Sequence, residues 1–588
     1  MKSFLKTFFA ALLALITFCV LLFFFFAGVL GSLMQSKEQP KVHENTVLKI
    51  ELGTPIQEQS HIDPMNLILQ RDHFEVQGLH NLIKGIRNAK TDSGIRGIYL
   101  KLNGSANLYA TNEELRRALL EFKKAGKFIV AYGDVITQKD YYIASVADDI
   151  FLNPSGLLDF RGFSMTMMFF KGTMNKLDIK ANIFYDGKFK SATEPFRTTE
   201  MTKANKIQTK AYLNSLYNHY LSGISAERHI DTSILFKYAN QGLVRSANDA
   251  SDYGLVDGLK YKDEVMAVLK KKLGVSRSDD IDFVSLSEYS QHDPVLYAGD
   301  FDNEIAILYA QGSIVNKENK GTSPQIAASK YVKLFKKIRE DSSIKSVVFR
   351  VNSPGGSALA SDEIWRALML TKQVKPVVVS MGDYAASGGY YISCAADRIY
   401  TEPNTLTGSI GVFGIIPDLH SFFKNKLGVT FDGVKTAKYA DIGSAVRPMT
   451  AAEKKMIQSQ VDHTYGIFKK RVSEGRDLKE TFVDSIAQGR VWSGLDAVRL
   501  GLADSLGGIK KAIAGAARLA HLSDYSITSY PQQKVPYKQI LESINGGIYS
   551  SIMEEKMGKY FPVFKALNKI NASQGKIMTR LPFALYRY

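Results

Sequence analysis

Apolar residues recur along this chain with two different periods. Short β-branched runs such as "SVVFRV" and "PVVVSM" predict buried strands. "ATNEELRRALLEFKKAG" and "SALASDEIWRALMLTKQ" carry apolar residues at helical spacing, and Gly126 closes the first. Strand–helix–strand alternation predicts a largely parallel sheet joined by crossovers. The amino terminus departs from this pattern. Lys2 and Lys6 precede an uncharged run from Thr7 to Met34. That run exceeds the ~20 residues that span a bilayer, and it is longer than the apolar core of a cleaved signal peptide. It reads as a retained signal anchor, with residues 1–6 held in the cytoplasm by the two lysines. Everything beyond would then lie on the far side of the inner membrane.

The pattern occurs twice. "DYYIASVADDIF" from Asp140 stands 249 residues before "GYYISCAADRIY" from Gly389, with six of twelve positions identical. At the same spacing "YLKLNGSA" faces "VFRVNSPGGSA", and further on "QGLVRSANDASDYGLVDGL" resembles "QGRVWSGLDAVRLGLADSL". Three matches in one order predict a tandem duplication. One copy spans 45–265 and the other 303–525, joined by a connection over 266–302. A basic, aromatic tail covers 526–588.

Composition narrows the classes. A chain of 588 residues with 45% hydrophobic content can bury more than one core. The net charge of +17 is spread over dispersed lysines, without an Arg-rich tract or zinc-finger spacing. It therefore predicts a solvated basic face or a membrane surface and no nucleic acid. Two cysteines, Cys19 and Cys394, exclude a disulfide framework.

The candidate chemistry lies in copy two. In "RVNSPGGSALAS", Gly355 and Gly356 follow a strand and precede a helix. Such a turn directs N–H groups outward and fits an oxyanion hole or a plain tight turn. "DYAASGGYYIS" presents Ser387 and "TLTGSIGVFG" presents Ser409, each among small residues. Copy one lacks the Pro-Gly-Gly turn and has Phe160 facing Ser409. No Asp/His pair stands near either serine, and His420 is the nearest histidine downstream. GxSxG and HExxH are absent. A lysine can replace histidine as base if burial keeps it neutral. Lys190 in "FYDGKFKSATEPF", beside Phe189 and small residues, is one candidate; Lys188 is its neighbour, and Lys438 is its rough counterpart in copy two.

Together "RVNSPGGS", "DYAASGGYYIS", "TLTGSIGVFG" and "KFKSATEPF" resemble the signal peptide peptidase A family in its long, duplicated, membrane-anchored bacterial form. The resemblance covers nearly the whole chain. It implies an α/β fold, a tandem Clp-protease/crotonase-like unit behind one transmembrane helix. It also implies a serine endopeptidase with Ser409 as nucleophile, Lys190 as general base, and Gly355 and Gly356 as the oxyanion element. Serine from one copy and lysine from the other would form a cross-copy dyad. In the similar Clp proteases an "AAS-x-G" segment carries the nucleophile, which would correspond to Ser387. The resemblance further implies apolar peptide substrates such as signal-peptide remnants, a homotetramer, and no cofactor or metal. Crotonase-like acyl transfer and a non-catalytic membrane scaffold are the competing readings.

Overall fold

The computed structural model describes residues 2–34, 42–62, 75–291, 302–318, 324–532 and 578–580. The chain divides into two compact units, Met1–His43 and Glu44–Tyr588. The first unit carries helix α1 (Lys2–Met34), which contains the uncharged run. Among the described residues, no helix is long and apolar enough to cross a membrane.

The second unit contains both copies. Copy one supplies β1 (Thr46–Glu51), β2 (Ile95–Leu102), α2 (Tyr109–Lys123), β3 (Phe128–Ile136), α3 (Gln138–Ala144) and β4 (Asp149–Leu158). After these come β5 (Lys180–Asp186), α4 (Lys203–Arg228), β6 (Gly258–Leu259) and β7 (Phe283–Ser285). Its sheet runs β6-β4-β3-β2-β1-β7, parallel throughout. Part of the expected connection therefore belongs to this copy. Phe283–Ser285 adds an edge strand, and Leu269 and Leu273 of the preceding helix are buried against the sheet.

Copy two repeats the plan. It has β8 (Glu304–Gln311), β9 (Ile344–Ser353), β10 (Gly355–Ser357), α5 (Ala358–Lys372) and β11 (Val377–Ala386). Then follow α6 (Gly388–Tyr391), β12 (Leu406–Gly408), β13 (Val412–Asp418), α7 (Ala451–Arg476) and β14 (Val491–Ser493). Two further strands are β15 (Ser526–Tyr530) and β16 (Met578–Arg580). The main path of the sheet is β14-β12-β11-β9-β8-β15. Val347, Val348, Phe349 and Val351 of β9 are fully buried. Burial on both faces explains why this strand reads as a continuous apolar run. Each such side chain contributes about 1.5–3 kcal/mol. Most of the tail expected over 526–588 lies outside the described residues, but 526–530 is the edge strand β15 of copy two.

The copies are joined by backbone and by charge. β5 of copy one pairs antiparallel with β13 of copy two, from Val412 opposite Asp186 to Asp418 opposite Lys180. Arg350 in β9 is fully buried, with Glu58 at 2.8 Å and Glu114 at 2.7 Å, both from copy one. Arg117 pairs with the buried Glu402 across the same boundary. Asp383 of copy two accepts from the backbone N–H groups of Ala110 and Thr111, each at 3.1 Å.

Candidate active site

The β5–β13 pairing carries a copy-one loop into copy two. Gly187 ends β5 with φ 112°, where a Cβ would meet the Gln488 backbone at 2.6 Å, so this turn demands glycine. Lys190 follows, and its N–H donates to Gly187 O at 3.0 Å. The "SATEPF" segment then folds as a short helical turn, Ser191–Thr193, and the helix Glu194–Arg197. Buried Glu194 accepts from Thr202 Oγ1 at 2.6 Å and Asn205 Nδ2 at 2.8 Å, tying the loop to α4. Gln208 of α4 donates to Phe189 O at 2.9 Å and to Ser191 Oγ at 3.0 Å. Its Oε1 accepts from Val491 N at 3.2 Å. Gly489 closes the other side: a Cβ there would lie 2.7 Å from Lys190 Cβ.

Lys190 is 1% exposed. Its Nζ lies 2.8 Å from Ser387 Oγ and 3.1 Å from Ser409 Oγ, and it donates to Ser409 O at 3.1 Å. Burial holds its ammonium well below the usual lysine range. The structure thus brings together residues separated by 197 and 219 positions.

Both serine hydroxyls lie within hydrogen-bond reach of the lysine amine. Ser387 caps α6 with φ 56° and ψ −114°, a strained conformation for a residue with a Cβ. α6 packs on β10 and on the end of β9. That fit is close: a Cβ on Gly389 would lie 2.6 Å from Ser353 O. Ser387 therefore contacts Lys190 and caps the helix that packs on the Pro-Gly-Gly turn. Ser409 follows Gly408, and its N–H donates to Arg490 O at 2.7 Å. Its backbone is thereby tied to the Gln488–Arg490 segment.

Gly355 has φ 96°, and its N–H donates to Ser353 Oγ at 3.1 Å. Gly356 pairs with Ile314, whose carbonyl would meet a Cβ there at 2.0 Å. β16 lies antiparallel on β10, with Gly355 opposite Arg580 and Ser357 opposite Met578; Met578 also faces Phe413 of β13. Copy one shows what its version of this turn can hold. The N–H groups of Gly104 and Ser105 donate to the buried carboxylate of Asp140, at 3.1 Å and 2.7 Å. Asp140 stands where copy two has Gly389.

The other candidates lie elsewhere. Lys188 and Lys438 are exposed, each over a neighbouring aromatic ring. His420 Nδ1 lies 3.1 Å from Val446 O. Gln208, Glu194 and Gly489 were not singled out from sequence. The repeated "QG" before the "RVWS" and "LVRS" strings was the available signal for Gly489.

A buried lysine whose charged form is disfavoured, within reach of two serine hydroxyls, defines a hydrolase of the serine type. The chain belongs to peptidase family S49, whose profile matches residues 121–276 and 369–523, one stretch in each copy. It is a serine peptidase. It is 34% identical over 517 residues to "Protease 4" of Salmonella typhi, covering 86% of this chain and 82% of that protein. It is also 34% identical to "Protease 4" of Haemophilus influenzae over 77% of this chain and 76% of that one. "Serine protease SPPA, chloroplastic" of Arabidopsis thaliana is 33% identical over 76% of this chain and 66% of its own length. Among solved structures, a ClpP1 mutant of Listeria monocytogenes matches with TM-score 0.24 and 14% identity over 35% of this chain and 94% of its own, too distant to argue from.

Proposed function

We propose a membrane-anchored endopeptidase that cleaves extended apolar peptides, with Lys190 as base and Ser387 as nucleophile. This departs from the expectation that Ser409 attacks. The observation that supports it is that Ser387 Oγ lies 2.8 Å from Lys190 Nζ while Ser387 caps α6, the helix that packs on the Gly355–Ser357 turn. A nucleophile must reach both its base and the oxyanion donors. In this reading neutral Lys190 takes the Ser387 proton as Oγ attacks the peptide carbonyl. The Gly355/Gly356 turn and the N–H of Gly388 receive the oxyanion. Lys190 then returns the proton to the leaving amine. Ser409 holds the amine in place through its hydroxyl and its carbonyl.

The substrate chain would enter as a strand between β10 and β13, the place β16 takes. The exposed phenylalanines and leucines of α1 support membrane anchoring. With them go an extracytoplasmic body and the Clp-type fold and homotetramer that the resemblance implies. Labelling with a fluorophosphonate followed by peptide mapping tests the assignment. The adduct is expected on Ser387, absent in Ser387→Ala and retained in Ser409→Ala. An adduct on Ser409 would restore the first expectation.

A further inference from the structure

α4 meets the lysine loop through one face of its first turns. Asn205, Gln208 and Thr209 stand three and four residues apart, so they share that face, and all three are buried. Gln208 has every group of its amide in use. Its Nε2 hydrogens are shared among Phe189 O at 2.9 Å, Ser191 Oγ at 3.0 Å and Asn205 Oδ1 at 3.1 Å. Phe189 and Ser191 are the two chain neighbours of Lys190. Its Oε1 accepts from Val491 N at 3.2 Å. Val491 opens β14, and the carbonyl of the preceding Arg490 accepts from Ser409 N at 2.7 Å. Ser409 in turn accepts from the Lys190 amine. One buried amide therefore joins the copy-one loop that carries Lys190 to the copy-two segment that holds Ser409.

The network continues behind Gln208. Asn205 Nδ2 donates to Glu194 Oε2 at 2.8 Å, which fixes the loop beyond Ser191. The duplication supplies a control. α4 and α7 begin after Thr202 and Thr450, which stand 248 residues apart. At that spacing Asn205 and Gln208 fall on Glu453 and Met456. Glu453 pairs with Arg447, and Met456 is 41% exposed. Copy two, whose own loop lysine Lys438 is exposed, has no amide in that place. A buried side-chain amide is costly unless its groups are paired. Here its partners belong to the two halves of the site.

We propose that Gln208 is a positioning residue for peptide hydrolysis, setting the Lys190 amine against the serines by clamping the Phe189–Ser191 backbone to β14. The proposal rests on Lys190 as the base. An amide suits the task because donor and acceptor are both needed. Methionine of similar length offers neither, and a carboxylate offers the acceptor alone. The lysine side chain is long and rotamer-rich, so its amine keeps bonding distance to a hydroxyl only while its backbone stays fixed. Loosening the clamp moves the amine off that hydroxyl and slows proton transfer. It leaves β10 and β13, between which the peptide would lie, as they are.

Gln208→Met in the full chain tests this on a fluorogenic apolar peptide, well below its melting temperature and beside Lys190→Arg and Ile224→Ala. Ile224 is buried further along α4, so its truncation weakens the same helix away from the loop. Gln208→Met is expected to lose about 10- to 100-fold in kcat with KM within about twofold of wild type, the signature of a misplaced catalytic group. Fluorophosphonate labelling is expected to slow in parallel, while Ile224→Ala keeps wild-type kcat. A wild-type kcat in Gln208→Met, or an equal loss in Ile224→Ala, overturns the proposal. Should Gln208→Met not fold, Gln208→Glu keeps the acceptor for Val491 N, loses the donors, and carries the same test with the same outcomes. Lys190→Arg separates the two readings. Activity retained there refutes the base assignment, whereas an inactive Lys190→Arg beside a wild-type kcat in Gln208→Met refutes the clamp alone.

Discussion

Lys190 is the residue on which the site turns, and its environment has a cost. Burial holds the amine well below its ordinary value in the folded state, while the unfolded chain returns it to 10.5. Between the depressed folded value and 10.5 the unfolded chain binds a proton that the folded chain does not. Stability therefore rises with pH across that window. Lys190→Met keeps the length and removes the penalty. It is expected to be inactive yet to melt above wild type at neutral pH, with the gap narrowing as pH approaches 10. Thermal melts at three pH values check this; a gap that grows with pH would contradict it. The lysine was legible in sequence only through the "KFKSATEPF" resemblance, because nothing in its own composition separates it from Lys188. The choice between the serines was not legible. Both sit among small residues, and the proposal for Ser387 rests on the packing of α6 against β10, which the sequence does not display.

At the level of elements, the strands and helices read from periodicity appear where expected. "SVVFRV" lies in β9, "PVVVSM" in β11, and the two amphipathic segments form α2 and α5. Their patterns are long, and packing agrees with propensity. β5 was missed as a structural partner of copy two because cross-copy pairing leaves no periodic signature. β16 was missed for a similar reason: three residues far along the chain give no pattern. Its place between β10 and β13 has a consequence for turnover. A chain ending before Met578 leaves that groove open. It is expected to cleave short apolar peptides with a severalfold lower KM and little change in kcat. Steady-state kinetics on the truncated and full chains decide it, and identical KM values would show that β16 does not compete with substrate.

At the scale of the whole molecule, the proposed site draws on both frames of the duplication. Copy two kept the serines and the glycine turn, copy one supplies the lysine, and Asp140 fills the copy-one turn. The order of three repeated motifs made the duplication legible. The buried charges that lock the copies together were not, since Glu58, Glu114 and Arg350 lie far apart in sequence. Removing one partner of such a group strands the others in a low dielectric. Arg350→Ala is expected to cost about 3–5 kcal/mol, read from the denaturant midpoint. A loss under 1 kcal/mol would mean that the pairing is not what holds the boundary. The central claim is that a copy-one lysine serves a copy-two serine. Its most direct test is hydrolysis of a fluorogenic apolar peptide by folded Lys190→Arg beside Lys438→Arg. Guanidinium stays protonated and cannot accept the serine proton. Lys190→Arg is therefore expected to lose at least about 100-fold in kcat, the scale of general-base catalysis, while Lys438→Arg keeps wild-type turnover. Near-normal turnover in Lys190→Arg, with loss in Lys438→Arg, would contradict the cross-copy site.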